Sequence, residues 1–164
     1  MGLFDVFKKA ELPARDDKDI VAVCNGEMIA PGKISDPMFA EEMMGQTIGF
    51  VPADGDFVSP ANGELEMIAT TGHAFSIRMA DGTGLLIHIG IDTVAMKGNG
   101  FKLLKKQGDK VKAGEKIIKA DLKAIKAAGH ESTTMLIVAE PAEEDAVLSF
   151  RDFGPVTQGE VISR

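Results

Sequence analysis

Residues 71–94 read TGHAFSIRMADGTGLLIHIGIDTV and give the clearest indication of fold in the chain. Two apolar-rich runs in this stretch flank the dipeptide Asp81-Gly82. Asp-Gly between two such runs is the strongest short-range signal for a β-hairpin. The stretch therefore predicts two antiparallel strands, and each strand carries one histidine, His73 or His88.

The length of the hairpin loop decides whether the two histidines meet. Side chains alternate between faces along a strand, and residues opposite each other in an antiparallel pair share a face. With a two-residue loop, Phe75 lies opposite His88 and His73 is its diagonal neighbour; with the loop shifted by two residues, His73 faces His88 directly. A bulge or a three-residue loop would separate the rings. The even-length loops predict a shallow apolar face that also holds Phe75, Ile77 and Leu86.

The same alternation of short apolar runs and turn residues continues on both sides of the hairpin. Short apolar runs alternate with Gly, Pro, Asn and Asp at a spacing of about 8–12 residues, which is typical of an all-β sandwich or barrel. These runs predict antiparallel strands at 20–24, 26–30, 47–51, 56–59, 63–69, 74–79, 85–91, 116–121, 135–139, 146–150 and 161–163.

Two short helices interrupt the predicted strands. Asp36 as the cap, Pro37 at the first helical position and Gly45 past the end predict a helix over residues 38–44. A second helix is predicted over residues 121–128, followed by a glycine.

The beginning of the chain differs from the rest. Residues 1–18 are predicted to form an N-terminal amphipathic tail and a charged linker, and residues 19–164 a single domain. The first nine residues, MGLFDVFKK, place apolar side chains before two lysines, which favours weak contact with an anionic membrane surface.

Composition excludes several classes of protein. The chain has 164 residues, of which 45% are hydrophobic and 26% charged, as in ordinary globular domains. No apolar run approaches the roughly 18 residues of a membrane span. One cysteine excludes a disulfide framework, and the net charge of −7 argues against nucleic-acid binding while leaving basic protein partners open.

Two imidazoles on an apolar face favour either of two chemistries. A ring nitrogen can attack phosphorus while its neighbour stabilises the phosphoryl oxygens. Alternatively, His73 and His88 are two ligands of a zinc site that is completed by Asp92 or by a partner protein. A third interpretation is a regulatory docking protein without catalysis. A fourth is that both histidines are hydrogen-bonded core residues with a purely structural role.

Several motifs around the histidines resemble the glucose-type enzyme IIA of the bacterial phosphoenolpyruvate-dependent sugar phosphotransferase system. The resemblance covers the chain from about residue 20 onward. The matching motifs are FAE at 39–41, SPANG at 59–63, TGHAFS at 71–76, LIHIGIDTV at 86–94 and KGNGF at 97–101.

The resemblance implies a β-sandwich phosphocarrier that is located in the cytoplasm, peripheral to the inner membrane face, and requires no cofactor. His88 would accept a phosphoryl group from the histidine-containing phosphocarrier protein and pass it to the IIB domain of a sugar permease. His73 would stabilise the phosphoryl group, and Thr71 would orient the ring of His73. The acceptor would be a permease for glucose, N-acetylglucosamine, sucrose or β-glucosides, since their IIA modules are similar. Regulated transporters or enzymes are further candidate partners. The two histidines also leave open a zinc ion shared between His73, His88 and a partner.

The resemblance also implies a surface for protein partners. Two acidic positions would meet a basic carrier, and an apolar ring would surround the histidines. Methionines replace the β-branched or aromatic residues that are frequent in the family, which predicts a surface that tolerates several partners. The predicted partner-binding residues are Asp36, Met38, Phe39, Met43, Met44, Phe75, Leu86, Asp92 and Val94.

Overall fold

The computed structural model describes residues 12–164, which contain eleven strands and two short α-helices joined by turns and loops. The predicted amphipathic segment 1–9 lies outside the described residues. The strands are β1 (Gly26–Ile29), β2 (Gln46–Pro52), β3 (Asp56–Val58), β4 (Gly63–Ile68), β5 (Ala74–Arg78), β6 (Gly84–His88), β7 (Phe101–Leu103), β8 (Lys110–Val111), β9 (Lys116–Ala120), β10 (Thr134–Glu140) and β11 (Gly154–Val156). The helices are α1 (Pro37–Ala40) and α2 (Leu122–Ala127), and two 3-10 helices cover Pro31–Lys33 and Thr93–Met96.

The strands form two antiparallel sheets. The larger sheet has the order β11-β1-β2-β10-β6-β5-β4-β8, and the smaller one has the order β3-β9-β7. Every strand pair in both sheets is antiparallel. The prediction of an all-β, antiparallel fold with two short helices is therefore confirmed. Within residues 12–164, no helix is long and apolar enough to cross a bilayer.

The larger sheet is apolar on both of its faces. Its inner face contributes Phe75, Ile77 and Ile87 to the main core, which also contains Phe57 and Ile118 of the smaller sheet. Its outer face carries a second, smaller cluster under α1, formed by Ile34, Phe39, Ile91, Met135 and Ile137. This second cluster lies beside His88, which pairs with Met135 across the sheet and whose ring is next to that of Phe39.

The hairpin that the sequence predicted is present, but its register is shifted by one residue. Met79 N–H donates to Thr83 O at 2.8 Å, which closes a three-residue loop. As a consequence Ala74 pairs with His88, and Phe75 pairs with Ile87. The prediction that Phe75 and Ile77 share a face with His88 is wrong, because an odd-length loop moves them to the opposite face.

Other predicted elements also differ at their ends. The helix predicted over residues 38–44 ends after Ala40, because Glu42 adopts a left-handed φ of 55° and its carboxylate accepts the Thr47 N–H at 3.0 Å. The runs at 20–24, 146–150 and 161–163 make only isolated bridges, Val21 with Val161 and Phe150 with Ser163. Strands β7 and β11, three residues each, were not predicted because so few residues leave no clear alternation.

Candidate functional site

His88 is the last residue of β6 and is half-buried on the outer face of the larger sheet. Its Nδ1 lies 2.8 Å from the carbonyl oxygen of Gly90. Because a carbonyl oxygen can only accept, Nδ1 carries the proton of the neutral ring. The lone pair of the ring therefore resides on Nε2, the atom that acts as nucleophile or metal ligand.

Gly90 holds its carbonyl at Nδ1 through a turn that only glycine fits. Its φ is +77°, in the left-handed region. A Cβ atom at this position would lie 2.4 Å from Cγ2 of Thr93 and 2.9 Å from the carbonyl oxygen of Glu131. The sequence analysis missed this contact, although the glycine two residues after His88 is its signal.

His73 reaches the same side from a turn that precedes β5. Its Nδ1 lies 2.7 Å from Oγ1 of Thr71. Gly72, with φ +74°, lies so close to β7 that an added Cβ would be 2.6 Å from Cβ of Phe101. The hydroxyl of Thr71 can donate to Nδ1, which leaves the His73 proton on Nε2.

The two imidazole rings meet at one surface. Their centroids are 5.3 Å apart and their planes are inclined by 73°. The prediction that His73 and His88 come together is therefore confirmed, but the strand alternation invoked for it is wrong. Their meeting depends on the turn at residues 71–73, outside β5.

Burial keeps both rings neutral. The pKa of His88 is lowered from 6.5 chiefly by burial, and the nearby His73 lowers it further. The bond to Gly90 and the charges of Asp36 and Asp92 act in the opposite direction without reversing the shift. The pKa of His73 is also lowered by burial. Both imidazoles are therefore uncharged at neutral pH. An uncharged ring is what a nucleophilic His88 and a hydrogen-bond donor at His73 would each require.

Helix α1 places an aromatic ring against His88. Asp36 Oδ1 accepts the Met38 N–H at 2.9 Å and caps the helix, and Pro37 occupies its first position. The ring centroid of buried Phe39 then lies 5.3 Å from that of His88. Phe39 thus forms a wall of the site, and its ring is covered rather than presented to solvent.

Apolar side chains that are open to a partner lie on elements next to the site. Met43 is 70% exposed, and Leu86 is half-buried on the same sheet face as His88. The large hydrophobic residues that are exposed in α1, the turn after it and the second 3-10 helix are Met38, Met43, Met44 and Val94. We refer to these four residues as the methionine-rich surface.

Phe75 does not belong to this surface. Its side chain is 0% exposed and lies in the main core, on the far side of the sheet from His88. Its prediction as a partner-binding residue is wrong because the hairpin register differs from the one assumed. Ser76, the residue that pairs with Leu86, takes the place on the outer face.

The structure does not assemble a metal site from this chain. Within residues 12–164, no three His, Cys, Asp or Glu side chains are arranged to hold a metal ion. Exposed Asp92, in a left-handed conformation with φ 60°, therefore does not complete a zinc site with His73 and His88.

A neutral imidazole with a free Nε2 beside a second imidazole, on the outer face of an antiparallel β-sheet, is the arrangement that a protein carrying a phosphoryl group on histidine requires. Over residues 18–144 the chain matches the family described as phosphoenolpyruvate-dependent sugar phosphotransferase system, EIIA 1. The chain belongs to this family. EIIA components of this system are phosphotransferases that act through a phosphohistidine intermediate.

Several relatives support this assignment. The glucose-specific EIIA component of Staphylococcus epidermidis is 34% identical over 158 residues, which cover 94% of this chain and 95% of the relative. The glucose-specific EIICBA component of Streptococcus pneumoniae is 40% identical over 120 residues, 73% of this chain. The matched part spans only 16% of that relative, and 21% of a second EIICBA relative from Staphylococcus saprophyticus.

A solved structure also matches. Glucose permease IIA from Mycoplasma capricolum superposes with a TM-score of 0.83 at 32% sequence identity. The match covers 88% of this chain and 93% of that chain. The arrangement of the strands is therefore that of a glucose permease IIA fold.

Proposed function

We propose that His88 is the phosphoryl acceptor of this chain in the cytoplasm. It receives the group from the histidine-containing phosphocarrier protein and passes it to the IIB domain of a sugar permease. The observation that carries the proposal is the pair of rings, His73 and His88, whose centroids are 5.3 Å apart. Each ring uses Nδ1 for an internal hydrogen bond, which leaves both Nε2 atoms to the incoming phosphoryl group.

The transfer requires only the residues present. The Nε2 lone pair of His88 attacks the phosphorus atom of the phosphorylated donor, and the bond between phosphorus and the donor nitrogen breaks as the new bond forms. Gly90 O accepts the Nδ1 proton of His88 and so favours the positive ring that results. The Nε2–H of His73 donates a hydrogen bond to a phosphoryl oxygen, and the hydroxyl of Thr71, by donating to Nδ1, holds the ring in the tautomer with its proton on Nε2. Catalysis is then positioning and charge stabilisation.

The surface around the rings suits a protein donor. The methionine-rich surface offers flexible apolar contacts, and Asp36 and Asp92 supply negative charge close to His88. Opposite charge on a partner would speed the encounter and orient it. The site is shallow, so the histidine of a second protein can reach the phosphorus atom.

The identity of the sugar is the finer part of the proposal. Relatives named glucose-specific and glucosamine-specific both match this chain. We therefore propose a hexose permease as the acceptor, with the glucose permease first among the candidates. Onward transfer to purified IIB domains for glucose, glucosamine, N-acetylglucosamine, sucrose and β-glucosides would rank them.

Other partners would use the same surface. Two Nε2 atoms at one surface supply half of a tetrahedral zinc site, which a carboxylate of a regulated transporter or enzyme would complete. Zinc-dependent co-purification with such a partner, lost in His88→Ala, tests this role. The contact of residues 1–9 with membranes stays a prediction that vesicle sedimentation with and without those residues tests.

Phosphorylation by phosphoenolpyruvate, enzyme I and the carrier protein tests the main proposal. Intact mass should show one added acid-labile phosphoryl group in the native chain and none in His88→Ala. His73→Gln should accept the group but transfer it poorly to IIB. His130→Ala is the matched control, because it removes the third histidine, which follows α2, and should behave as the native chain. Label that persists in His88→Ala would refute the assignment.

A further inference from the structure

We infer that Thr93 is a positioning residue that fixes the reactive tautomer of His88 through the turn at Gly90. The inference rests on the proposed role of His88 as phosphoryl acceptor. Thr93 opens the 3-10 helix Thr93–Met96 and is 0% exposed, so its side chain contacts neither solvent nor a docking partner. Its effect on the reaction must therefore pass through the residues that it contacts.

The Thr93 hydroxyl holds the first of the two peptide groups that flank Gly90. Oγ1 of Thr93 donates to the carbonyl oxygen of Ile89. The N–H of the same Ile89 donates to the carbonyl oxygen of His73 at 2.7 Å. Ile89, which lies between His88 and Gly90, is thus hydrogen-bonded through its carbonyl to Thr93 and through its N–H to the backbone of His73.

The second peptide group beside Gly90 is held from the opposite side. The N–H of Ile91 donates to the carbonyl oxygen of Glu131 at 3.0 Å. The carbonyl of Gly90, in the same peptide group, accepts the Nδ1 proton of His88 at 2.8 Å. With both neighbouring peptide groups fixed, the Gly90 carbonyl has one orientation.

Glycine makes this support necessary. A residue without Cβ adopts many backbone conformations, so it does not fix the direction of its own carbonyl group. The hydrogen bond from the hydroxyl limits rotation at Ile89–Gly90, and Cγ2 of Thr93 lies close enough to fill the space of a Cβ on Gly90. If the carbonyl turns away, Nδ1 loses its acceptor and the proton distributes between the two nitrogens. The fraction of rings with a free Nε2 lone pair then falls.

Substitution of the hydroxyl separates its effect from that of side-chain shape. Thr93→Val keeps the volume and removes the donor, whereas Thr93→Ser keeps the donor. We expect Thr93→Val to lower the maximal rate of phosphorylation by the carrier protein about tenfold at unchanged KM for the carrier. Thr93→Ser should retain most of the native rate. The ¹⁵N spectrum of the His88 ring should show a single Nδ1-protonated tautomer in the native chain and a mixture in Thr93→Val.

Ser59→Ala is the matched control. Ser59 is also 0% exposed, and its hydroxyl donates to the backbone carbonyl of Ala61 at 2.7 Å, in the segment between β3 and β4. Ser59→Ala should lower the melting temperature about as much as Thr93→Val does. It should leave the ¹⁵N spectrum of the His88 ring and the phosphorylation rate unchanged. Should Thr93→Val fail to fold, Thr93→Cys gives the same comparison, because a thiol is only a weak donor.

A native ring spectrum and rate in folded Thr93→Val would overturn the inference and leave the role of His88 intact. A rate loss that Ser59→Ala reproduces, or that appears only as a higher KM, would also overturn it. If the native chain is not phosphorylated on His88, the proposed function fails instead. The ring spectrum then still decides whether Thr93 sets the tautomer.

Discussion

His73 and His88 face each other with ring centroids 5.3 Å apart, although the hairpin register alone would send their side chains to opposite faces of the sheet. His88 obeys the alternation of β6. The alternation of side chains along β5 does not apply to His73, because His73 lies in the turn before the strand, where Gly72 has a φ of +74°. The site thus depends on a turn and a strand end, and its geometry should be sensitive to substitutions in both.

Thr71→Val should impair onward transfer more than phosphoryl acceptance. The substitution removes the 2.7 Å hydrogen bond to Nδ1 of His73 and frees that ring to change tautomer. Since Thr71 is exposed to solvent in part, stability should change by no more than about 1 kcal/mol. Single-turnover transfer to a IIB domain measures the effect, which we expect to be about tenfold. Thr71→Ser should restore it, and equal transfer rates in Thr71→Val and the native chain would contradict the role.

The pH dependence of both rings follows from their burial. The pKa values of His73 and His88 are lowered from 6.5 in the folded chain, so the unfolded chain binds more protons just below that pH. Stability from this source is fully present above 6.5 and is lost as the pH falls through 6.5 toward the lower folded values. Phosphoryl acceptance should likewise persist below pH 6.5 and decline only when His88 becomes protonated.

NMR titration of the ring protons measures both values directly. The midpoints of His73 and His88 should lie below 6.5. Urea unfolding across the same pH range should lose part of its dependence on pH in His88→Ala. A midpoint for His88 at or above 6.5 would show that the hydrogen bond to Gly90 and the charges of Asp36 and Asp92 outweigh burial.

The sequence predicted the β-class, the hairpin and the helix cap at Asp36, because alternation and capping are local properties. It could not predict the hairpin register, which depends on the Met79–Thr83 bond that closes a three-residue loop. The error reversed the face assigned to Phe75. The contact of Phe39 with His88 was also beyond prediction from pattern, because it needs the approach of α1 to the outer face of a sheet strand distant in sequence.

Phe75→Ala and Met43→Ser should distinguish a core residue, whose substitution lowers stability, from a docking residue, whose substitution raises KM. Phe75 is wholly buried, so its truncation should lower the free energy of unfolding by about 3–5 kcal/mol. Met43 is 70% exposed, so Met43→Ser should leave stability within about 0.5 kcal/mol of the native value and raise KM for the carrier protein. Urea unfolding and steady-state phosphorylation measure the two effects. A stable Phe75→Ala with a raised KM would restore Phe75 to the docking surface.

Asp36→Asn should reveal the electrostatic part of docking without loss of the helix cap. Asparagine caps helices about as well as aspartate, whereas alanine does not. Asp36→Asn should therefore slow association with a basic donor and weaken its salt dependence at native stability, and Asp36→Ala should also destabilise α1 by about 1 kcal/mol. Stopped-flow association at several salt concentrations measures the charge effect, and Asp92→Asn should show it too. Identical salt dependence in Asp36→Asn and the native chain would remove Asp36 from the docking surface.

Gly90→Ala should disable His88 without touching the imidazole itself. The new Cβ would meet Cγ2 of Thr93 at 2.4 Å and the carbonyl of Glu131 at 2.9 Å, at a φ of +77° that alanine rarely adopts. Relief of this overlap must move the turn, and with it the carbonyl that accepts the Nδ1 proton of His88. We expect a stability loss of about 3 kcal/mol and a phosphorylation rate at least about tenfold lower in the folded fraction. Gly82→Ala is the control, because its φ of +93° imposes similar backbone strain in the hairpin loop, with no atom within 4 Å of the added Cβ. It should lose less stability and keep the native rate; a native rate in Gly90→Ala would show that the Gly90 carbonyl does not govern the reactivity of His88.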